Sequence, residues 1–348
     1  MAKCSVSRRL IMAQLMAGCS LLVAGCGGGG SGSVAPPAPP PPPPPAPPPP
    51  APPPPPPPTN TSLTDLRFDQ TFFVPFARLR FGTSSGIGGA FQVQAFPISN
   101  GNIFKYVAAD QSYIFDATQN FPTLDGTIPA DTTIFTFPPS DINRALSTAD
   151  TTVYGTMRLF QLFKPGNSNP ILALNFASFG SIAVGQNPRA QGDRITETRP
   201  FSYGIPAPAV SVARSGTETY RGVLRGQAVG ERTILGSIPF INATGTFELT
   251  IDFTSKTLTG NVVLSGTVLD GQGNPLRVDN FGTFPINRSG PLTTLPQLSG
   301  TVGTGEFQGM LAGPNAEEVS FTFSTSVVYT GVTPPIVIPL VASAAGKR

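Results

Sequence analysis

The sequence contains no histidine and no tryptophan, and its three cysteines, Cys4, Cys19 and Cys26, all lie near the N-terminus. Without histidine the chain lacks the commonest general base and the commonest metal ligand. Without cysteine beyond position 26 the remainder can form no disulfide framework, thiol nucleophile or thiolate metal site. Charge is also scarce: Asp, Glu, Lys and Arg make up 12% of 348 residues. Lys3, Arg8 and Arg9 sit in the leading segment, so 22 basic residues less these three leaves 19, against 19 acidic ones. A neutral body with no basic run excludes nucleic acid as a partner class. What is plentiful beyond the linker is Gly, Ser, Thr, Phe and Val, the usage of sheets joined by turns.

The N-terminus has an address. A basic start is followed by an apolar stretch from Leu10 to Ala24, 15 residues long, and then by Val23-Ala24-Gly25-Cys26. This is a signal-peptide layout, and the stretch falls short of the roughly 20 apolar residues of a membrane-spanning helix. Val23, Ala24, Gly25 and Cys26 resemble the bacterial lipobox, in which small residues admit the signal peptidase to an acylated cysteine. The expectation is a signal peptide over 1–25, lipid attachment at Cys26, and a bilayer held through acyl chains at about 0.8 kcal/mol per buried CH₂. A plain secretory signal is the bland alternative. Met16-Ala17-Gly18-Cys19 is a weaker rival site, because cleavage there leaves an apolar tag, Ser20 to Val23. By resemblance to other lipoproteins, Gly27 carries no inner-membrane retention signal. This implies the outer membrane, at the cell surface or on the periplasmic face.

Residues 26–59 read as a tether. Gly27 to Ser33 is flexible, and Pro36 to Pro58 holds 20 prolines in 23 residues. Such a run adopts polyproline II and spans roughly 70 Å at about 3.1 Å per residue. A lipid at one end and a folded body at the other argue for a spacer over a docking motif.

The body reads as all-β, divided into a β-rich N-terminal domain (60–199) and a second domain (200–348). In the first, strand-like runs occur at Phe72–Arg80, Ala90–Phe96, Tyr113–Phe115, Thr133–Phe137, Thr152–Phe163 and Ile171–Phe179. Ser140–Ala149 is the exception. Ser140 or Asp141 is a suitable cap and Ala145 and Leu146 suit a helix interior, so a short helix is expected there. In the second, Phe247, Leu249, Ile251 and Phe253 alternate with Thr246, Glu248, Thr250 and Asp252, the signature of a strand with one wet face. With Glu218–Leu224, Thr233–Ile241, Thr257–Thr267, Leu276–Phe284, Glu306–Leu311, Val319–Val328 and Ile336–Val341, about eight strands follow each other without helices between. They must be antiparallel, closing as a barrel or packing as a sandwich.

Four segments of this half resemble the C-terminal barrel of transferrin-binding protein B-like surface lipoproteins. They are Ser215–Gly222, Gly245–Phe253 with the return strand Leu258-Thr259-Gly260, Gly305–Gly309, and Gly313–Glu318. Factor H-binding lipoproteins share this barrel type. Leu172–Gly180 is similar to a strand of environmental members. The sequence departs from the family at Val319-Ser320, where a glycine pair is usual, and through most of the first half. The resemblance implies an eight-stranded antiparallel barrel and a non-enzymatic role in binding a protein or small solute, with iron or haem acquisition among the classes. It does not carry transferrin over as the ligand.

The same residues have physical readings. Gly305 and Gly309 mark places where a side chain would crowd a neighbouring strand. Gly313-Pro314-Asn315 reads as a hairpin turn, and Asp252 and Glu318 are expected to pair with arginines at the barrel rim. Motifs for chemistry are thin. Gly82-Thr83-Ser84-Ser85-Gly86 fits the nucleophile-elbow spacing but has no histidine to serve it. Glu317 and Glu318 point to opposite faces of a strand and cannot flank one bond, and nothing selects a distant pair such as Asp252 with Glu306. Asp270–Asn274 lacks the ligands of a calcium loop. The sequons at Asn242 and Asn287 mean little behind a bacterial lipobox. Tyr106 and Tyr203 are the conceivable haem ligands, unselected by any pattern. No cofactor, metal or catalytic residue is assigned. The rivals to a binding lipoprotein are an envelope structural protein without a ligand and, further off, a carboxylate-dependent hydrolase.

Overall fold

The computed structural model describes residues 59–83, 91–99, 103–116, 134–137, 146–150, 156–163, 165–167, 169, 171–186, 194–230, 240–269, 274–288 and 290–348. The signal segment, Val23, Ala24, Gly25, Cys26 and the proline run lie outside the described residues. So do Ser84–Gly86 and Asp270–Gly273.

Ten strands come first: β1 (Gln70–Phe72), β2 (Phe76–Thr83), β3 (Phe91–Ser99), β4 (Ile103–Val107), β5 (Ser112–Asp116), β6 (Ile134–Phe137), β7 (Leu146–Asp150), β8 (Thr156–Leu162), β9 (Ala177–Gln186) and β10 (Arg194–Gly204). A single helical turn, α1 (Ala209–Val212), leads into eight more: β11 (Thr217–Val229), β12 (Phe240–Asp252), β13 (Thr257–Leu269), β14 (Pro275–Asn287), β15 (Gln297–Val302), β16 (Gly305–Ala312), β17 (Glu318–Tyr329) and β18 (Ile336–Lys347). The fold is all-β. The last eight strands close into an antiparallel barrel in sequence order. The first ten form a four-stranded sheet, β1-β4-β5-β6, and a six-stranded sheet, β3-β2-β10-β9-β8-β7. β10 runs through position 199/200, and the barrel wall begins at Thr217.

Within Pro56–Arg348, which is one compact unit, the six-stranded sheet is the middle layer. On one face Ala77, Leu79 and Phe81 meet Val229 and Val341 of the barrel wall. Alternation turns the intervening residues the other way. There Phe76, Phe201 and Tyr203 pack with Phe72, Phe104, Tyr106 and Tyr113 of the four-stranded sheet. That face also buries an ion cluster. Glu197 Oε2 accepts from Arg80 Nε at 2.9 Å and Nη2 at 2.8 Å, and its Oε1 accepts from Arg199 Nε at 2.5 Å.

The barrel interior is filled. Phe247, Leu249 and Ile251 point inward from β12 as their alternation predicts. The Phe321 ring meets Phe247 edge-on at 4.8 Å and Phe307 at 5.7 Å. Bulky rings require close strands, which explains Gly309: a Cβ there would stand 2.2 Å from the Ser320 carbonyl oxygen and 2.5 Å from Phe321 Cβ. The β16–β17 turn is closed by Ala316 N–H donating to the Gly313 carbonyl, with Gly313 at φ +89°.

Three expectations are corrected. Leu146–Asp150 is a strand paired with β8, not the end of a helix. Its run Leu-Ser-Thr-Ala-Asp has Ser, Thr and Asp where a helix interior disfavours them, and an adjacent edge to join. The strand expected at Ile171 starts at Ala177, because Asn175 and Phe176 give their amides elsewhere. The third correction concerns the barrel's strand count. Of the strand expected at Thr233–Ile241 only Phe240 and Ile241 lie among the described residues, and they belong to β12, the strand that carries the Phe247 alternation; the short β15, Gln297–Val302, has no counterpart among the expected strands. The two errors offset each other.

Candidate functional site

β17 and β18 are the barrel strands most enclosed by the six-stranded sheet. Their outward residues, Ser320, Thr322 and Ser343, alternate with aromatic and aliphatic ones, a pattern that also suits a solvated face. They are buried instead, and their hydroxyls staple the layers. Ser320 Oγ donates to the Tyr203 carbonyl at 3.2 Å, Thr322 Oγ1 to the Pro75 carbonyl at 2.9 Å, and Ser343 Oγ to the Gly180 carbonyl at 3.2 Å. Short hydroxyl side chains allow a sheet to lie close to the wall.

Where the wall turns from β18 to β11 and β12, contact opens into a cleft of about 380 Å³, within the range of small-ligand sites. Its barrel side is set by register. Arg225 stands opposite Ser343 on one side and Thr244 on the other, and Gln227 stands opposite Asn242. Its other side is the row Gln161, Ser181, Pro200 across β8, β9 and β10. Phe163 and Phe179, stacked at 4.6 Å with 18° between ring planes, line one end. Gly180 belongs to the lining, and a Cβ there would meet the Gln161 carbonyl oxygen at 2.6 Å and the Phe201 ring at 2.7 Å.

The chemistry of this cleft is plain. Among the described residues, two glutamines, an asparagine, several hydroxyls and one cation line it, and no carboxylate does. Arg225 is exposed, and no hydrogen bond or ion pair of its guanidinium occurs among the described residues. Such a lining recognises hydroxyl, carbonyl and anionic groups through charge-assisted and neutral hydrogen bonds. No sequence motif signals it, because its residues come from six strands.

The residues singled out in sequence lie elsewhere. Among the described residues Asp252 makes no ion pair with arginine; its Oδ1 accepts from the Thr254 and Ser255 amides, at 2.8 and 3.2 Å, and hydrogen bonding from Ser255 holds its carboxyl below the usual range. Among the same residues Glu318 meets no arginine either. It is 3% exposed, and it accepts the amides of Asn175 (2.7 Å), Phe176 (2.7 Å) and Ala177 (2.8 Å). Burial pushes its carboxyl up, and the three amides oppose that. Both corrections share a cause: backbone N–H groups were nearer than any guanidinium, a preference invisible in composition. Glu317 turns away and caps the Asn315 amide at 2.8 Å. Tyr203 is fully buried and Tyr106 nearly so, and neither lines the cleft. Burial raises the Tyr203 phenol well above its ordinary value, against the phenolate that metal ligation requires. Among the described residues no group of His, Cys, Asp and Glu could hold a metal ion, and no helix is long and apolar enough to cross a membrane.

No family model matches the chain, and no curated protein matches it in sequence. Among solved structures, the chain is similar to HpuA from Kingella denitrificans, solved in complex with human haemoglobin. The TM-score is 0.33 at 18% identity, over 81% of this chain and 87% of that one. It is similar to isotype 1 transferrin-binding protein B from serogroup B Neisseria meningitidis at TM-score 0.31 and 16% identity. That match covers 79% of this chain but 43% of the other. Kievitone hydratase from Nectria haematococca follows at TM-score 0.22 and 10% identity, over 78% and 88%.

Proposed function

We propose that this chain is an outer-membrane lipoprotein, acylated at Cys26, that holds a non-enzymatic binding body away from the bilayer on its proline rod. The lipobox-like Val23-Ala24-Gly25-Cys26, the 20 prolines beyond it and the neutral β body support this reading together. The ligand, a protein segment or small solute, enters the cleft between the six-stranded sheet and the barrel wall. The observation that carries this is Arg225, without an ion-pair partner among the described residues, set among the amides and hydroxyls that line the cleft. We further propose the division into a 60–199 domain and a 200–348 barrel, with the cleft between them. Iron and haem carriers are the first ligands to try, because of the sequence resemblance.

Protease shaving of intact cells tests the display. Removal of the body from intact cells, together with loss of membrane retention in a Cys26→Ala variant, is expected. A body that resists until the outer membrane is opened faces the periplasm, and the structural-protein reading then leads. Ligand capture by the wild type and not by an Arg225→Glu variant is expected for the cleft. Equal capture by both removes the cleft from the proposal.

A further inference from the structure

The cleft is a blind slot, and two neighbouring strands show why. Along β11, Val223, Arg225, Gln227 and Val229 face outward, and on β18 Val223, Arg225 and Gln227 stand opposite Ala345, Ser343 and Val341. At one end Val223 and Ala345 pack with Phe163 and Phe179. At the other, Val229 and Val341 pack with Leu79 and Phe81. Between these contacts the back is shut by Ser343, whose hydroxyl donates to the Gly180 carbonyl. The exposed members of the lining are Gln161, Arg225, Asn242 and Thr244, which mark the mouth on the β8 and β12 side. A polymer cannot run through a slot closed at both ends. Its occupant is a small molecule, or the terminal group of a longer one.

The lining narrows the chemistry. Among the described residues Arg225 is its one cation. A planar guanidinium takes a carboxylate through two parallel hydrogen bonds, and one positive charge balances one negative charge. A doubly charged phosphate monoester is left half compensated. Around the arginine, Gln161, Gln227 and Asn242 present amides, which both donate and accept, and Ser181 and Thr244 present hydroxyls. None of the three amide side chains is engaged in a hydrogen bond among the described residues. A hydroxyl also donates and accepts, so a polyhydroxylated body uses these amides where a hydrocarbon body leaves them to water. Pro200 and the Phe163–Phe179 pair give the inner part an apolar surface for the C–H face of such a body.

We propose that the cleft takes a hydroxylated monocarboxylate of the sugar-acid type, with its carboxylate on Arg225 and its hydroxyls among the amides. The inference rests on the reading of the cleft as a binding site and names its ligand class. The same group occurs as a free solute and as the terminal residue of a glycan.

The test is titration calorimetry of the full chain, held in a detergent without a sugar head group. The probes are D-glucuronate and D-galacturonate, with D-glucose as the neutral counterpart and benzoate as an anion with an apolar body. A sugar acid is expected to bind about tenfold or more tightly than D-glucose, the margin of one charge-assisted hydrogen-bond pair. Arg225→Gln should abolish that margin, and added salt should shrink it. Arg221→Gln, an exposed arginine of β11 that pairs with Glu248 outside the cleft, should keep it. Asn242→Leu should weaken the sugar acids several-fold. An oligosaccharide ending in glucuronate that binds as tightly as the free acid assigns a glycan end, and weaker binding of it assigns the free solute. Failure of both sugar acids to bind the wild type overturns the proposal, as does an affinity that Arg225→Gln leaves unchanged. Benzoate binding as tightly as the sugar acids, and lost with them in Arg225→Gln, overturns the sugar-acid class while the cleft stands as a binding site. Equal ligand capture by the wild type and Arg225→Glu removes the cleft itself, and this inference with it.

Discussion

Glu318 Oε2 accepts the Ala177 amide at 2.8 Å across 141 residues of sequence, and the Phe176 amide at 2.7 Å. One carboxylate thus ties the first residue of β17 to the lead-in of β9. Truncating it leaves three amides without their acceptor in a largely dry place. Each orphaned buried donor costs about 1–3 kcal/mol. Glu318→Ala is therefore expected to lower unfolding stability by about 3 kcal/mol or more in urea titration. Glu318→Gln, which keeps one acceptor oxygen, should lose less.

The same carboxylate sets a pH dependence whose direction runs against intuition. Burial raises its folded pKa above the unfolded one, so the folded state holds the proton more readily than the unfolded state. Its contribution is then greatest below the unfolded pKa and declines as pH rises through the raised value. The stability gap between wild type and the non-titrating Glu318→Gln variant should narrow from about pH 4 toward neutrality. A gap that widens over that range contradicts the assignment. Thermal melts at matched ionic strength measure it.

Gly309 tests the barrel's packing. Its register partner is Phe321, whose ring fills the interior, and a Cβ has no room beside the Ser320 carbonyl. Gly309→Ala should cost about 1–3 kcal/mol, the range for overpacking a tight core. Gly216 is a useful contrast. Nothing lies within 4 Å of a Cβ there, but its φ of +97° disfavours a side chain, so Gly216→Ala is strained without a clash. Chemical denaturation of both variants separates conformational from packing cost.

Much of the fold was legible because the barrel strands obey period two. Phe247, Leu249 and Ile251 point inward as their spacing requires, and the glycines at 305, 309 and 313 sit at close approaches and a turn as read. The layers were not legible. Ser320, Thr322 and Ser343 carry the pattern of a solvated face, yet that face is covered by segments 117 or more residues away in sequence. Polar alternation reports chemistry, and a hydroxyl suits water and a carbonyl from another strand equally. β15 was missed because Gln297–Val302 has only Leu298 and Val302 as apolar markers. The cleft was hidden for a related reason: Arg225, Asn242 and Gln161 become neighbours only after six strands have paired.

Arg225 allows stability and binding to be separated. Its side chain is exposed and makes no ion pair among the described residues, so Arg225→Glu should shift stability by no more than about 0.5 kcal/mol. If the cleft takes an anionic or carbonyl-rich ligand, the stabilisation that ligand confers on the wild type disappears in the variant. The expected pattern is superimposable melts without ligand and divergent melts with it. A large loss of stability without ligand assigns Arg225 a structural role.

The Tyr203 hydroxyl is buried and has no hydrogen-bond partner among the described residues. The nearby Ser178 hydroxyl donates to the Phe163 carbonyl at 2.5 Å, and it stands outside hydrogen-bond geometry with the Tyr203 hydroxyl. The ring is well placed, meeting Phe104 edge-on at 4.8 Å and Phe72 at 5.2 Å. Ring and hydroxyl therefore act in opposite directions: the ring contributes packing, and the hydroxyl carries a desolvation cost without return. Tyr203→Phe removes only the oxygen and should leave stability unchanged or raise it by about 1 kcal/mol. Tyr203→Leu, which also loses the aromatic contacts, should lower it. If Tyr203→Phe is instead destabilising by more than about 1 kcal/mol, the hydroxyl has a partner in solution, and this aromatic layer holds a polar group or a water that the packing alone does not require.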